Sequence, residues 1–492
     1  MPALNSNGNP VKVGQITLRT PGLEGAANSY RAGLPGMRSA EQTSDALEQA
    51  LRSQNVQPQE TIEITGTREV PVAAVPTRST TFDEPAIVAE VPEPGDAFGQ
   101  FVIYTDESGV TTWNFPLTQD NRVDVTRGSG KLTYVIPRTV PSTEGTSETR
   151  SLMGVVGKKL LKVVVFPLID PILGKIGDYF VERWEQRNRT TRIRPFTAEN
   201  YCVADTPPLD KDGWKSLAAG RALLMIHGTF SSTHAAFSQL PPDYVRDLCQ
   251  QYSGRVFAFD HLTLSQDPKA NADWFLKQIP SGIALDLDIV CHSRGGLVSR
   301  VLAEREVTAN PSPARVRRIV FLGAPNAGTA LADSKYMSTF LDSYTNVLNL
   351  FLDMLPESGV IEALEGIIAV VKQLSVNTLK GLDGLGAMQP NGEFLRTLNR
   401  GRKDDKRYFA ISANFEPQHN PGFKAYIANR LMDKIFKAEN DLVVPTASAY
   451  EKNGSDLFPI DDRYIFSASD GVHHCNYFSQ KAARDNIVAW LG

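Results

Sequence analysis

The chain has 492 residues, 41% hydrophobic and 22% charged, a globular composition with room for two or three domains and an enzyme-sized core. With 51 Lys and Arg against 55 Asp and Glu, the net charge is −4, which argues against a general nucleic-acid binder. Cys202, Cys249, Cys291 and Cys475 show no CxxC spacing, so neither a zinc nor a redox motif is expected.

Few cysteines in a long chain fit reduced thiols rather than a disulfide framework. The first residues lack a basic-then-apolar leader, and no run of about 18 uncharged apolar residues exists. The expectation is a cytoplasmic protein without a membrane-spanning helix.

Residues 1–150 are rich in Pro, Thr, Ser and Gly. They carry short strand candidates at Val11–Arg19, Glu60–Thr65, Gln100–Thr105, Thr111–Phe115 and Lys131–Ile136. Asp106-Glu107-Ser108-Gly109 suits a hairpin turn, and Ala40–Ser53 one helix. Stretches 67–97 and 137–150 lack periodicity and read as linker or extended loop. This part is expected to be a small β-rich accessory module, free to bind a protein partner.

Residues 151–200 read as a helical connector. Val155–Trp184 mixes apolar residues with Lys158, Lys159 and Lys162. Two readings stay open: a peripheral membrane-surface helix, or a bent helix packed on the next domain.

From 201 to 492, strand and helix candidates alternate. Strands fall at Ala222–Ile226, Val256–Asp260, Leu285–Val290, Arg318–Leu322, Arg407–Ser412 and Arg463–Ser467. Helices fall at Pro241–Tyr252, Asn271–Gln278, Gly295–Glu306 and Tyr477–Leu491. Such alternation predicts an α/β domain with a mostly parallel sheet covered on both faces. Residues 329–400 interrupt it with helical patterns only, at Met337–Leu355 and Ile361–Leu374.

Between the strand ending at Val290 and the helix beginning at Gly295 stands Cys291-His292-Ser293-Arg294-Gly295-Gly296. A serine on a strand-to-helix turn is held clear of the sheet, with a helix N-terminus aimed at developing negative charge. The turn needs small residues two positions either side of the serine. Gly295 meets this, while Cys291 stands in the first glycine's place. Alone, the pattern fits a polar strand end equally well.

Three further stretches shift the weighing. Leu223-Leu224-Met225-Ile226-His227-Gly228-Thr229-Phe230 ends an apolar strand in a flexible His-Gly turn. Thr229 N–H and Arg294 N–H are then the candidate oxyanion donors. Asp441 precedes an apolar run and a proline, where an orienting acid belongs, with Glu439 as local competitor. His473 and His474 precede the last helix as candidate bases, His474 preferred. For each stretch an ordinary loop remains the plain alternative.

The order Ser293, Asp441, His474 and the sequence of motifs over about 220–492 resemble the α/β-hydrolase superfamily, its lipase and esterase branch in particular. LLMIHGTF, IVCHSRGGLVSR, IVFLGAPNAGT, ENDLVVPTASA and GVHHCNYF stand in that family's order. Gly323-Ala324-Pro325-Asn326-Ala327-Gly328-Thr329 resembles the family's segment after the nucleophile helix, and its base follows Gly-Val-x, as His474 does.

The resemblance implies an α/β-hydrolase sheet with a helical cap at about 329–400, and acyl transfer through an acyl-enzyme without metal or organic cofactor. Phe340, Leu341, Leu348 and Ile367 in the cap suit either a lid over a lipid-like ester or the cap's own core. The Arg294 side chain is expected to attract an anionic head group or, more simply, to pair with a nearby carboxylate. Rival readings are an acyltransferase or amidase with the same triad, a non-enzymatic binding platform, and a lipase effector controlled by its N-terminal module.

Overall fold

The computed structural model describes residues 1–31, 45–70, 86–107, 109–117, 130–138, 159–168, 180–304, 313–350, 357–376, 381–400, 406–416, 438–452 and 456–492. Contacts divide the chain into two compact units, Met1–Phe180 with Ile368–Leu379, and Val181–Ile367 with Lys380–Gly492.

The first unit is built from antiparallel strands. One sheet is four-stranded, ordered β1 (Val11–Val13), β2 (Ile16–Arg19), β5 (Ala86–Pro92), β8 (Lys131–Pro137). The other is five-stranded, ordered β3 (Leu23–Arg31), β4 (Gln57–Glu69), β9 (Lys159–Pro167), β6 (Phe98–Thr105), β7 (Thr111–Asn114). One apolar cluster draws on Leu18, Ile87 and Tyr134 of the first sheet and on Ile62, Val102 and Leu161 of the second. Two sheets that share a core in this way are packed face to face.

Two expectations are corrected here. Ala86–Pro92 lies in a stretch expected to be linker, yet it is a strand whose Ile87, Ala89 and Val91 alternate into the core. The helix expected over Val155–Trp184 is not continuous. Lys159–Pro167 is the middle strand of the larger sheet, and only Phe180–Asn188 is helical. Its Val163-Val164-Val165-Phe166 run favours a strand, and burial on both faces explains an apolar run without alternation. Of the lysines that suggested a basic amphipathic face, Lys162 pairs with Glu48 and Lys159 with Glu107, while Lys158 lies outside the described residues. The strand has no apolar face left for a membrane surface. Residues 151–158 and 169–179 lie outside the described residues.

The second unit holds a seven-stranded sheet, ordered β10 (Arg192–Pro195), β12 (Val256–Asp260), β11 (Arg221–Ile226), β13 (Leu285–His292), β14 (Ala314–Leu322), β15 (Arg407–Ala413), β18 (Asp462–Phe466). Only β10 runs antiparallel to its neighbour. A short hairpin, β16 (Glu451–Lys452) and β17 (Asp456–Leu457), stands apart. Alternate residues of the parallel strands feed opposite cores: Leu224, Ile289 and Phe321 one, Met225, Val290 and Val320 the other. Helices cover both faces, which is the doubly covered parallel sheet that near-continuous apolar strands require. This is the α/β-hydrolase fold. Strand order reverses around β11, so the ligand side lies at the carboxyl ends of the strands.

The interrupting segment is helical at Met337–Leu350 and Glu357–Ser375. Phe340, Leu341, Leu348 and Ile367 are all buried. Among the described residues no helix is long and apolar enough to cross a membrane.

Candidate active site

Every candidate side chain lies at the carboxyl end of the sheet. Ser293 follows β13 directly, with φ 53°, a left-handed conformation rare for a residue with a β-carbon. Such a residue costs about 1–3 kcal/mol and persists only where its surroundings hold it. The surroundings are tight. A β-carbon on Gly295 would stand 2.5 Å from the His227 carbonyl oxygen, and one on Gly228 2.6 Å from the Ser293 β-carbon. Glycine is therefore required at both positions. Cys291 fits because its side chain turns into the apolar core beside Ile289 and Val298, away from the turn.

Ser293 Oγ lies 2.9 Å from His474 Nε2, and His474 Nδ1 lies 2.8 Å from Asp441 Oδ2. The Nδ1–H donated to the carboxylate leaves Nε2 free to accept the serine proton. All three residues are buried, Ser293 at 1% exposure.

The acid loop is strongly braced. Asp441 Oδ1 accepts the Val443 and Val444 N–H groups at 3.1 and 2.7 Å, and Oδ2 also accepts the Tyr477 hydroxyl at 2.8 Å. Burial pushes this carboxyl up, but His474 and these donors outweigh it and hold it below its ordinary value. Leu442, at φ 78°, turns the loop, and Ser343 Oγ donates to its carbonyl at 2.8 Å. Glu439, the competing acid, is exposed.

The two adjacent histidines part ways. His473 is buried beside the Phe415 ring, and its Nδ1 accepts the Cys475 N–H at 3.2 Å. Burial lowers it to about 3, so it stays neutral. His474 alone reaches the serine. Its carbonyl oxygen accepts His292 Nε2–H at 2.8 Å, so the residue before Ser293 also steadies His474.

Among the described residues neither the Thr229 nor the Arg294 backbone N–H donates to a protein acceptor. The Thr229 turn is fixed from behind. His227 Nδ1–H donates to the Gly228 carbonyl at 2.9 Å, and His227 Nε2 accepts the His261 N–H at 3.2 Å.

The Arg294 side chain is held by the protein itself. It is fully buried, and it donates to the Gly384 carbonyl at 2.8 Å, to Asn271 Oδ1 at 3.0 Å and to the Gln266 carbonyl. Its hydrogen-bond partners are carbonyl and amide oxygens, and the Glu185 and Asp267 carboxylates act on its charge. Burial lowers this guanidinium to about 10. Loop 263–266 is gripped from its other side by Glu185. That buried carboxylate accepts the Thr263, Leu264 and Ser265 N–H groups at 2.7, 2.9 and 2.7 Å.

A family model described as a domain of unknown function, DUF7379, matches residues 188–492. The chain belongs to this family. No curated protein matches the sequence. Among solved structures, the chain is similar to a carboxylesterase of the ammonia-oxidizing thaumarchaeon Nitrososphaera gargenis (15% identity, 56% of this chain and 90% of that one, TM-score 0.32). It is also similar to lipase 1 from Pelosinus fermentans (14%, 54% and 94%, TM-score 0.36) and to phospholipase PlaB from Legionella pneumophila (11%, 55% and 60%, TM-score 0.36). The strand order and the turn at Ser293 carry the fold assignment independently of these likenesses.

The DUF7379 region holds Ser293, His474, Asp441 and both candidate oxyanion donors, while Glu185 falls just before it. Beside His474 lies a cavity of about 60 Å³, lined by Thr229, Phe230, Tyr344, Leu348, His474 and Phe478 among others. Sequence reasoning missed His292, Tyr344, Tyr477 and Glu185. Tyr477 lies three residues beyond His474, a spacing that could have drawn notice. The others carry no local signal. Among the described residues no group of His, Cys, Asp and Glu is arranged to hold a metal ion.

Proposed function

We propose that the DUF7379 region is a serine hydrolase that cleaves carboxylic esters with an apolar acyl group. The observation that carries this reading is the relay from Ser293 Oγ through His474 to Asp441, at 2.9 and 2.8 Å. Three groups in this order and at these separations suit nucleophile, base and orienting acid.

In the proposed reaction, Ser293 Oγ attacks the ester carbonyl carbon and its proton passes to His474 Nε2. The carbonyl π pair moves onto oxygen, where the Thr229 and Arg294 N–H groups receive it. Asp441 holds the imidazole and stabilises the imidazolium. Collapse breaks the bond to the alkoxy oxygen, which takes the proton from His474. Water then repeats the sequence and frees the acid.

The lining of the cavity by Phe230, Ala235, Ala236, Leu348, Ala363 and Phe478 supports an apolar acyl group. At about 60 Å³ it holds only a few waters, far below the roughly 300–1,000 Å³ of ordinary ligand pockets. A lipid-like chain is therefore admitted only when the covering residues move.

The test is fluorophosphonate labelling of wild type beside Ser293→Ala, with hydrolysis of short and long acyl esters in parallel. Labelling and turnover are expected in wild type and lost together in the variant. Turnover that survives Ser293→Ala overturns the reading.

A further inference from the structure

Tyr344 stands on the helix Met337–Leu350, in the segment inserted after β14. Its ring lies edge-on to three partners: Phe340 at 5.0 Å, Phe230 at 5.1 Å and His474 at 6.0 Å between ring centres. These contacts fix the ring directly over the site and leave it 4% exposed. It lines the same cavity as Thr229 and His474.

The hydroxyl is the informative part. Burial, first of all, drives its pKa well above the ordinary phenol value, and the Ser293 side chain acts against this. It is thus a neutral O–H donor at any working pH. Two other buried tyrosines are committed elsewhere. Tyr477 donates to Asp441 at 2.8 Å and Tyr201 to the Leu240 carbonyl at 2.7 Å. Among the described residues no carboxylate or carbonyl accepts the Tyr344 hydroxyl in this way. A ligand oxygen placed before this donor gains a hydrogen bond in a largely dry site, where such a bond is stronger than in water.

We propose that Tyr344 is a third hydrogen-bond donor to the tetrahedral intermediate formed at Ser293, supplied by the cap rather than by the sheet. This rests on the serine-hydrolase reading above. The geometry makes catalysis depend on the cap being closed. The Thr229 and Arg294 N–H groups belong to the sheet's own turns, whereas Tyr344 arrives with its helix. No proton leaves the phenol. It lends a hydrogen bond as charge develops on the substrate oxygen, and His474 alone moves the proton.

The experiment compares wild type, Tyr344→Phe and Ser293→Ala in three measurements: ester kcat and KM, final extent of fluorophosphonate labelling, and thermal midpoint. Phenylalanine keeps the three ring contacts and removes only the donor. Tyr344→Phe is expected to lower kcat by about 10- to 100-fold, with KM within about threefold. Labelling should still run to completion and the midpoint should hold. A kcat equal to or above wild type overturns the proposal, because Tyr344 then merely packs or plugs the site. A fall in KM affinity alone, with kcat unchanged, also overturns it. Wild-type protein that neither labels nor turns over sinks the serine-hydrolase reading itself, and this inference with it. That outcome is distinct from a labelled Tyr344→Phe enzyme that turns over normally.

Discussion

Gly323 and Asp441 come so close that a β-carbon on the glycine would stand 3.0 Å from the Asp441 Oδ2 oxygen. It would also stand 2.9 Å from the Tyr477 ring and 3.3 Å from His474 Nδ1, and the glycine has φ 55°. Gly323→Ala must therefore push apart the acid, the base and the tyrosine that braces them. The expected outcome is a kcat at least 10-fold lower and stability reduced by about 1–3 kcal/mol. Ester kinetics and denaturant unfolding check it. A variant with unchanged kcat would mean that the acid loop tolerates displacement.

The division of roles between the adjacent histidines predicts opposite phenotypes. His474→Ala should reduce kcat by about 1,000-fold or more, and Asp441→Asn by a comparable factor through the wrong imidazole tautomer. His473→Gln should keep kcat within severalfold of wild type, since its ring contacts Phe415 and not the serine. Turnover assays of the three variants decide it. A dead His473→Gln enzyme with a normal thermal midpoint would reverse the assignment.

Buried neutral histidines predict acid sensitivity. Burial lowers His227 to about 4, and His292 and His473 to about 3. In an unfolded chain each titrates near 6.5. Between those limits the unfolded state binds more protons, so stability rises with pH in that window and is lost as pH falls below about 6.5. Each histidine contributes roughly 1 kcal/mol per pH unit there. Asp441, held below its ordinary value, adds a loss of the same sign only below about pH 4. Thermal midpoints at pH 7.5 and 5 should differ strongly in wild type and less in His473→Gln. Equal differences would show that His473 does not titrate on unfolding.

Glu185 predicts a defect that begins far from the serine in sequence. Removing its carboxylate leaves the Thr263, Leu264 and Ser265 N–H groups without their acceptor, beside the Arg294 guanidinium. Glu185→Ala should destabilise the protein by about 3 kcal/mol, as loss of a buried charged partner does. Chemical denaturation measures this. A change under about 1 kcal/mol would mean that loop 263–266 is held chiefly by Arg294.

The sequence by itself determined the alternating strands of the second unit, the glycine-flanked serine turn and the chain order of Ser293, Asp441 and His474. Apolar periodicity and turn chemistry are local, and they survive translation into structure almost residue for residue. Val256–Asp260 is a strand as read, and the helix after Ser293 starts at Gly295 as read.

Only the tertiary structure decided the rest. It turned Lys159–Pro167 from an expected helix into the middle strand of a sheet, because burial on both faces erases the alternation that marks a strand. It buried Arg294 among carbonyl oxygens contributed by residues 28 and 90 positions away in the chain. It set His474 rather than His473 against the serine, and it brought Tyr344 from the inserted helix into ring contact with His474. Distant residues meet only through packing, and packing leaves no trace in the spacing of a single chain.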